Sequence, residues 1–426
     1  MTSIRETRRR ISQGRLGISS LISEALSRVN SNESKNSYIS VDERDVQRQI
    51  ADLASRPSGF LRGIPISVKD CFDIRGYRTS MGARYYFETG SRKERDASLV
   101  ERLRAAGAII TGKTHLQQLA YGLTGENQDF GNCLQVDRAN QLTGGSSSGA
   151  AASILEGSAM AAIGTDTGGS IRFPASLCSL FGYRASIGTG SWSGGYHLAE
   201  SFDTIGFLFR CLEDAQLLGN AILGIPIENR RRDRPVRIGI VSPDFFRDAE
   251  PEIVNGMRRW QERFSACECE TFDATLWSES LEIYRPIQAY EAAAYHSGHF
   301  DEFEEPIADR LRWGASLRDK EVEELRGRGA VFGKATAKLF ERFNFLLLPA
   351  APVSRLTNGE DTGPLRDLVL RYTTPASVCG LPCLALPNEK GGCQLLGRKG
   401  GDAELLAFAE WLCATRTANE RETHRE

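Results

Sequence analysis

The sequence predicts an α/β protein, a sheet covered by helices on both faces. Two observations carry that expectation. Short, mainly apolar runs at 64–68, 108–110 and 160–164 read as strands of a sheet covered on both faces. Segments with apolar residues at helical spacing separate them, so helix and strand alternate along the chain. A third observation sets the scale: 426 residues, 41% hydrophobic and 25% charged, with 42 glycines for turns, describe an ordinary globular chain. Length alone leaves one large domain or several smaller ones open.

The elements follow in order. Arg5 to Arg10 include Glu6 and are followed by no apolar run, so the opening reads as a solvated helix rather than a targeting signal. Leu21, Ile22, Ala25, Leu26 and Val29 mark one helix and Val46, Ile50 and Leu53 another, making residues 1–60 a helical collar. A core follows over 61–215. In it, Leu99, Leu103 and Ala106 lead a helix into the buried strand at 108–110, and Ile154 and Leu155 belong to a helix that begins near Ser146. Residues 180–206, rich in glycine and serine, read as loops. A strand at 235–241 precedes a charged helical region at 245–345, including a helix over 291–317, where substrate choice is expected to reside. Runs at 345–348, 383–386 and 394–396 read as closing strands, 403–414 as a last helix, and 415–426 as a frayed tail.

Charge and composition narrow the partners. Lysine plus arginine (53) nearly balance aspartate plus glutamate (55), and a net charge of −2 argues against nucleic acid or an anionic membrane held by bulk electrostatics. No apolar run approaches the ~20 residues that span a bilayer. The ten cysteines, most inside apolar segments, are expected as reduced thiols in a cytoplasmic protein.

One stretch organises the chain's chemistry. Gly164-Thr165-Asp166-Thr167-Gly168-Gly169-Ser170-Ile171-Arg172 follows an apolar strand and presents a serine on a turn of small residues. Glycines permit the backbone angles such a turn needs, and its successive N–H groups suit a developing oxyanion. Upstream lie Thr143-Gly144-Gly145-Ser146-Ser147-Ser148-Gly149-Ala150 and an apolar strand, Gly63-Ile64-Pro65-Ile66-Ser67-Val68, that ends on Lys69.

Together these three motifs, in this order, resemble the amidase signature family. Asp96, the segment 106–113, Glu126-Asn127, Leu346-Leu347-Leu348-Pro349 and Thr374-Pro375-Ala376 extend the resemblance over nearly the whole chain. It implies one domain over 1–426 with a mixed sheet, and a Ser-cisSer-Lys triad of Ser170 as nucleophile, Ser146 as relay and Lys69 as base. It also implies a cis peptide bond at Gly145–Ser146. Lysine is no base near its ordinary pKa of ~10.4, so Lys69 must be buried and kept from carboxylates. The oxyanion is expected on N–H groups of Thr167, Gly168, Gly169 and Ser170. Asp166 and Arg172 read as an ion pair that holds the turn. Ser148 and Ala150 depart from the common pattern without touching the triad. The expected activity is hydrolysis of a small amide, with no metal or cofactor and a homodimer left open. A glutaminase-type subunit of an amidotransferase and a non-catalytic scaffold are the alternatives. Arg310 and Arg312, in a helix-rich segment with Tyr290 and Tyr295, are candidates to grip a carboxylated substrate. A solvated charged helix face is the plainer reading of the same residues.

Other motifs carry less. Gly107 to Thr114 spell a P-loop, but a helix precedes Gly107 and the spacer is itself the buried strand. Gly145 to Gly149 spell a nucleophile elbow on Ser147, yet the residues before it do not read as a strand, and His197, His296 and His299 stand in no matching motif. His296 and His299 read as solvent-facing helix residues, and Cys267-Glu268-Cys269 as a pair without further ligands.

Overall fold

The computed structural model describes residues 2–31, 35–53, 59–228 and 235–422, the last eight as backbone. Eleven strands form one sheet: β1 (Tyr38–Ser40), β2 (Pro65–Lys69), β3 (Ile109–Thr114), β4 (Ala161–Asp166), β5 (Phe181–Arg184), β6 (Thr204–Phe209), β7 (Arg237–Val241), β8 (Glu268–Phe272), β9 (Phe345–Pro349), β10 (Cys383–Pro387) and β11 (Gly392–Gly397). Their order is β1-β3-β2-β4-β6-β5-β10-β11-β9-β7-β8. The sheet is mixed: β3, β2 and β4 run parallel, β4 through β9 alternate antiparallel, and β9, β7 and β8 are parallel again.

Helices cover both faces because the central strands are apolar on both. Along β4, Ala161 and Ile163 join the large core while Ala162 joins a second cluster with Ala150, Ala151, Ile154 and Ile171. In β6, Phe207 and Leu208 divide the same way. No helix of the described residues is long and apolar enough to cross a membrane.

The structure departs from the sequence reading in four places. Residues 180–206 are not only loops: they contain β5 and the start of β6. The misleading glycines are close-packing positions, since a Cβ on Gly182 would stand 2.7 Å from the Ala175 methyl. The helix expected over 291–317 is two, Ser280–Tyr295 and Glu305–Ser316. Gly298, at φ +85°, lies in the break and Pro306 opens the second helix. Strand β8 gives no sequence signal because its first four residues are exposed on a sheet edge and form no apolar run. The last helix spans Asp402–Glu422, beyond the 414 expected; of the expected tail, 423–426 lie outside the described residues.

Candidate active site

Parallel pairing of β2 with β4 brings the site together. Val68 lies opposite Ile163, so Lys69, the last residue of β2, comes alongside the end of β4 where the serine turn begins. The Lys69 ammonium donates to Ser146 Oγ at 2.9 Å and to Thr165 Oγ1 at 2.8 Å. It is fully buried. Burial pulls its pKa down to about 8, against opposition from Cys71, Asp203 and Asp166.

Ser146 and Ser147 lie just ahead of the helix Ser148–Glu156. The Gly145–Ser146 peptide bond is cis. Ser147 turns its side chain away from the reaction, donating from Oγ to the Thr165 carbonyl, while its N–H donates to the Ser170 carbonyl at 3.2 Å. That last bond ties the loop of Ser146 to the turn of Ser170, which is 3% exposed.

The turn itself is held on several sides. Asp166 Oδ1 accepts from the Gly169 N–H at 2.8 Å and Oδ2 from the Ile171 N–H at 3.1 Å. Two buried guanidiniums, Arg172 and Arg184, pair with the same carboxylate at 2.8 and 2.9 Å. Burial alone would raise the Asp166 pKa, but the two arginines hold it well below the usual carboxylate range. Thr373 Oγ1 donates to the Gly168 carbonyl at 2.6 Å. Gly169 has φ +120°, and a Cβ there would press on Thr373, so the position requires glycine. A side chain on Gly168 would occupy the place of the Tyr284 hydroxyl. Because its N–H is taken by Asp166, Gly169 is withdrawn from the expected oxyanion donors; Thr167, Gly168 and Ser170 stay.

The expected substrate contacts separate. Arg312 is a surface residue paired with Asp301, Glu305 and Asp309 at 2.6, 2.8 and 3.0 Å. Tyr290 donates to Asp319 and Tyr295, 47% exposed, to Glu200. These three are the solvated face that the plainer reading described. Arg310 differs. Its guanidinium stands 4.8 Å over the Tyr121 ring and donates to the Tyr121 carbonyl at 2.7 Å, while its buried Nε has no hydrogen-bond partner. Burial and the neighbouring Arg366 pull its pKa down to about 10. Arg366 lies 5.6 Å over the same ring and donates to Gln288, which donates to the Tyr284 hydroxyl above Gly168.

Sequence reasoning passes over several of these groups. Arg184, Tyr284 and Arg366 sit in segments without motif, Thr373 stands just before the Thr374-Pro375-Ala376 stretch without being marked by it, and Asp203 precedes β6 within the supposed loops. His115, buried beneath the Ser146 loop with Nδ1 on Ser148 Oγ at 2.7 Å, carries no signal in its local sequence. His296 is not solvent-facing: it is buried after the helix end, bonded to Tyr86 Oη at 2.8 Å, and burial holds its pKa down to about 4.

Known proteins share this architecture. The family model described as Amidase matches residues 20–406. The chain is 30% identical over 378 residues to a 2-amino-5-chloromuconic acid deaminase of Comamonas testosteroni, covering 82% of this chain and 81% of that protein. It is 28% identical to a glutamyl-tRNA(Gln) amidotransferase subunit of Methylobacillus flagellatus, covering 83% and 82% of the two. A crystal structure of an amidase superposes with a TM-score of 0.88 at 29% identity, over 97% of this chain and all of that one. On the span of that match and the sheet that carries its motifs, this chain belongs to the amidase signature family, enzymes that act on carbon–nitrogen bonds other than peptide bonds.

Proposed function

We propose that this enzyme hydrolyses the amide bond of a small, carboxylate-bearing substrate through an acyl-enzyme on Ser170. The observation that carries the reading is Lys69, a buried ammonium bonded to hydroxyls and, among the described residues, to no carboxylate, with its pKa drawn down to about 8. Neutral Lys69 takes the Ser146 proton, and Ser146 takes that of Ser170 as Oγ forms its bond to the amide carbon. The oxyanion is received by N–H groups of Thr167, Gly168 and Ser170, each such donor contributing about 3–4 kcal/mol in comparable sites. The proton returns through Ser146 to the leaving nitrogen, the C–N bond breaks, and ammonia or an amine departs. Water then enters by the same relay and releases the carboxylate product.

Arg310 and Arg366 support the carboxylate end. Both guanidiniums flank Tyr121, Arg310 pairs with no carboxylate among the described residues, and a fork of N–H donors grips a carboxylate well. Glutamine is one such amide, and the relative from an amidotransferase makes a glutaminase role within a larger complex the second reading.

The test is ammonia release from glutamine, aliphatic and aryl amides, and their carboxylated analogues, by the wild type, Ser170→Ala and Arg310→Gln. Release that Ser170→Ala abolishes supports the nucleophile. A KM for carboxylated amides raised about tenfold in Arg310→Gln supports the substrate class. Equal rates in Ser170→Ala overturn the first, and unchanged KM the second. Wild-type release that appears only when a partner protein is added selects the amidotransferase reading.

A further inference from the structure

We propose that His197 and Asp203 are positioning residues of the reaction, holding through the Thr167 hydroxyl the turn that bears Ser170. The inference rests on Ser170 being the nucleophile. Asp203 immediately precedes β6, and the pairing of Thr204 with Asp166 sets it beside the start of the turn. Its carboxylate is buried and fully used. Oδ1 accepts from Thr167 Oγ1 at 2.6 Å; Oδ2 accepts from the N–H groups of Leu198 and Ala199 at 2.8 and 3.1 Å and from His197 Nδ1 at 3.0 Å. A carboxylate only accepts, so the imidazole proton stands on Nδ1. The His197 ring stacks on Trp192 at 4.1 Å and faces Tyr295 at 6.2 Å, which fixes its plane.

The chain His197–Asp203–Thr167 does something the other restraints do not. Asp166 holds the far side of the turn through the N–H groups of Gly169 and Ile171, and Thr373 holds the Gly168 carbonyl. Thr167 is the first residue of the turn after β4, and the two that follow are glycines without side chains. Of residues 167–169 only Thr167 has a side chain, and its hydroxyl holds the residue itself, while the Asp166 carbonyl just before it accepts from Thr204 Oγ1 at 3.0 Å and from Arg184 Nη1. Without that bond from Thr167 the turn keeps its far anchor and the Asp166 carbonyl, and loses the hold on Thr167 between them. A shift of ~1 Å in such donors costs about 100-fold in rate.

The test uses a fluorophosphonate, which needs no knowledge of the substrate: Ser170 Oγ forms a bond to phosphorus, the P–F bond breaks, and fluoride leaves. The maximal labelling rate and the half-saturating probe concentration are measured for wild type, Ser170→Ala, Thr167→Val, Thr167→Ser, His197→Phe and His197→Asn, beside a thermal melt of each. Thr167→Val is expected to lower the maximal rate about 10- to 100-fold with half-saturation little changed, and Thr167→Ser to recover most of it. His197→Phe keeps the stack on Trp192 and loses the N–H, lowering the rate about tenfold; His197→Asn, whose amide N–H reaches the carboxylate, restores it in large part. Wild-type rates in Thr167→Val and His197→Phe, or melting points that fall while rates per folded enzyme hold, overturn the positioning role and leave the nucleophile standing. Labelling of Ser170→Ala at the wild-type rate, or of none of the proteins, overturns the nucleophile and the proposal with it.

Discussion

Lys69 shows how little is needed to fit a surface residue type for the base role proposed above. The strand residues around it are apolar, its partners are two hydroxyls, and burial outweighs the distant anions. Below about pH 8 the side chain holds a proton it must lose before it can accept one from Ser146. kcat/KM is therefore expected to rise with pH along a limb centred near 8 and to level off above it. Lys69→Ala should lower kcat by a factor on the order of 10³ or more while the protein stays folded, and Lys69→Arg should fare no better because a guanidinium does not give up its proton. A rate that falls with pH across 7 to 9, or an active Lys69→Ala, would remove Lys69 from the mechanism. At this scale the small-residue turn of Ser170 with its flanking Asp166 and Arg172 was legible in the letters, while Ser146 and Lys69 were singled out by the resemblance to the family. Asp203, Thr373 and Tyr284 were not, because each reaches the turn from a distant segment and no local spacing marks them.

Elements were legible where their burial is uniform and obscure where glycine or an exposed edge breaks it. The strand at 161–166 reads directly, while β5 hides behind Gly182 and β8 behind four exposed residues. The helix Ser148–Glu156 packs against β4, starts beside the site and ends on Glu156, which is buried and accepts from Ser37 Oγ at 2.6 Å and Ser158 Oγ at 2.5 Å. A carboxylate there lies at the negative end of the helix dipole and out of water, and burial pushes its pKa up to about 7. Because the folded value exceeds the ordinary 4.5, the side chain's contribution is fully present below pH 4.5 and is lost as pH rises through about 7. Glu156→Gln keeps an acceptor and a donor for the two serines without the charge. Its melting temperature should exceed that of the wild type by ~2 °C above pH 8 and match it near pH 5. Equal melting curves for the two proteins at both pH values would show that Glu156 is not held in its neutral form.

At the scale of the whole molecule the alternation of helix and strand told the layers but not the strand order, because the sheet pairs segments far apart in the chain and the buried side-chain bonds that link them are encoded by no local pattern. Asp166 is the clearest case. Its carboxylate ties the end of β4 to Arg184 on β5 and to Arg172, and Arg172 continues to the Thr373 carbonyl at 2.9 Å, to Ser377 Oγ at 3.0 Å and to Gln394 of β11 at 2.9 Å. Arg184 adds bonds to the carbonyls of Leu381 and Phe202, before β10 and β6. One buried anion thus bridges β4, the parallel strand that leads into the Ser170 turn, and the antiparallel strands β5 and β11. Asp166→Asn leaves two buried guanidiniums around a neutral amide, and a buried pair broken on one side costs about 3–5 kcal/mol. We expect one cooperative unfolding transition in denaturant, shifted down by that amount, with activity lost in the same variant because the Gly169 and Ile171 N–H groups lose their carboxylate. Two separate transitions, or a shift below about 1 kcal/mol, would show that the halves are joined elsewhere and that Asp166 serves the turn alone.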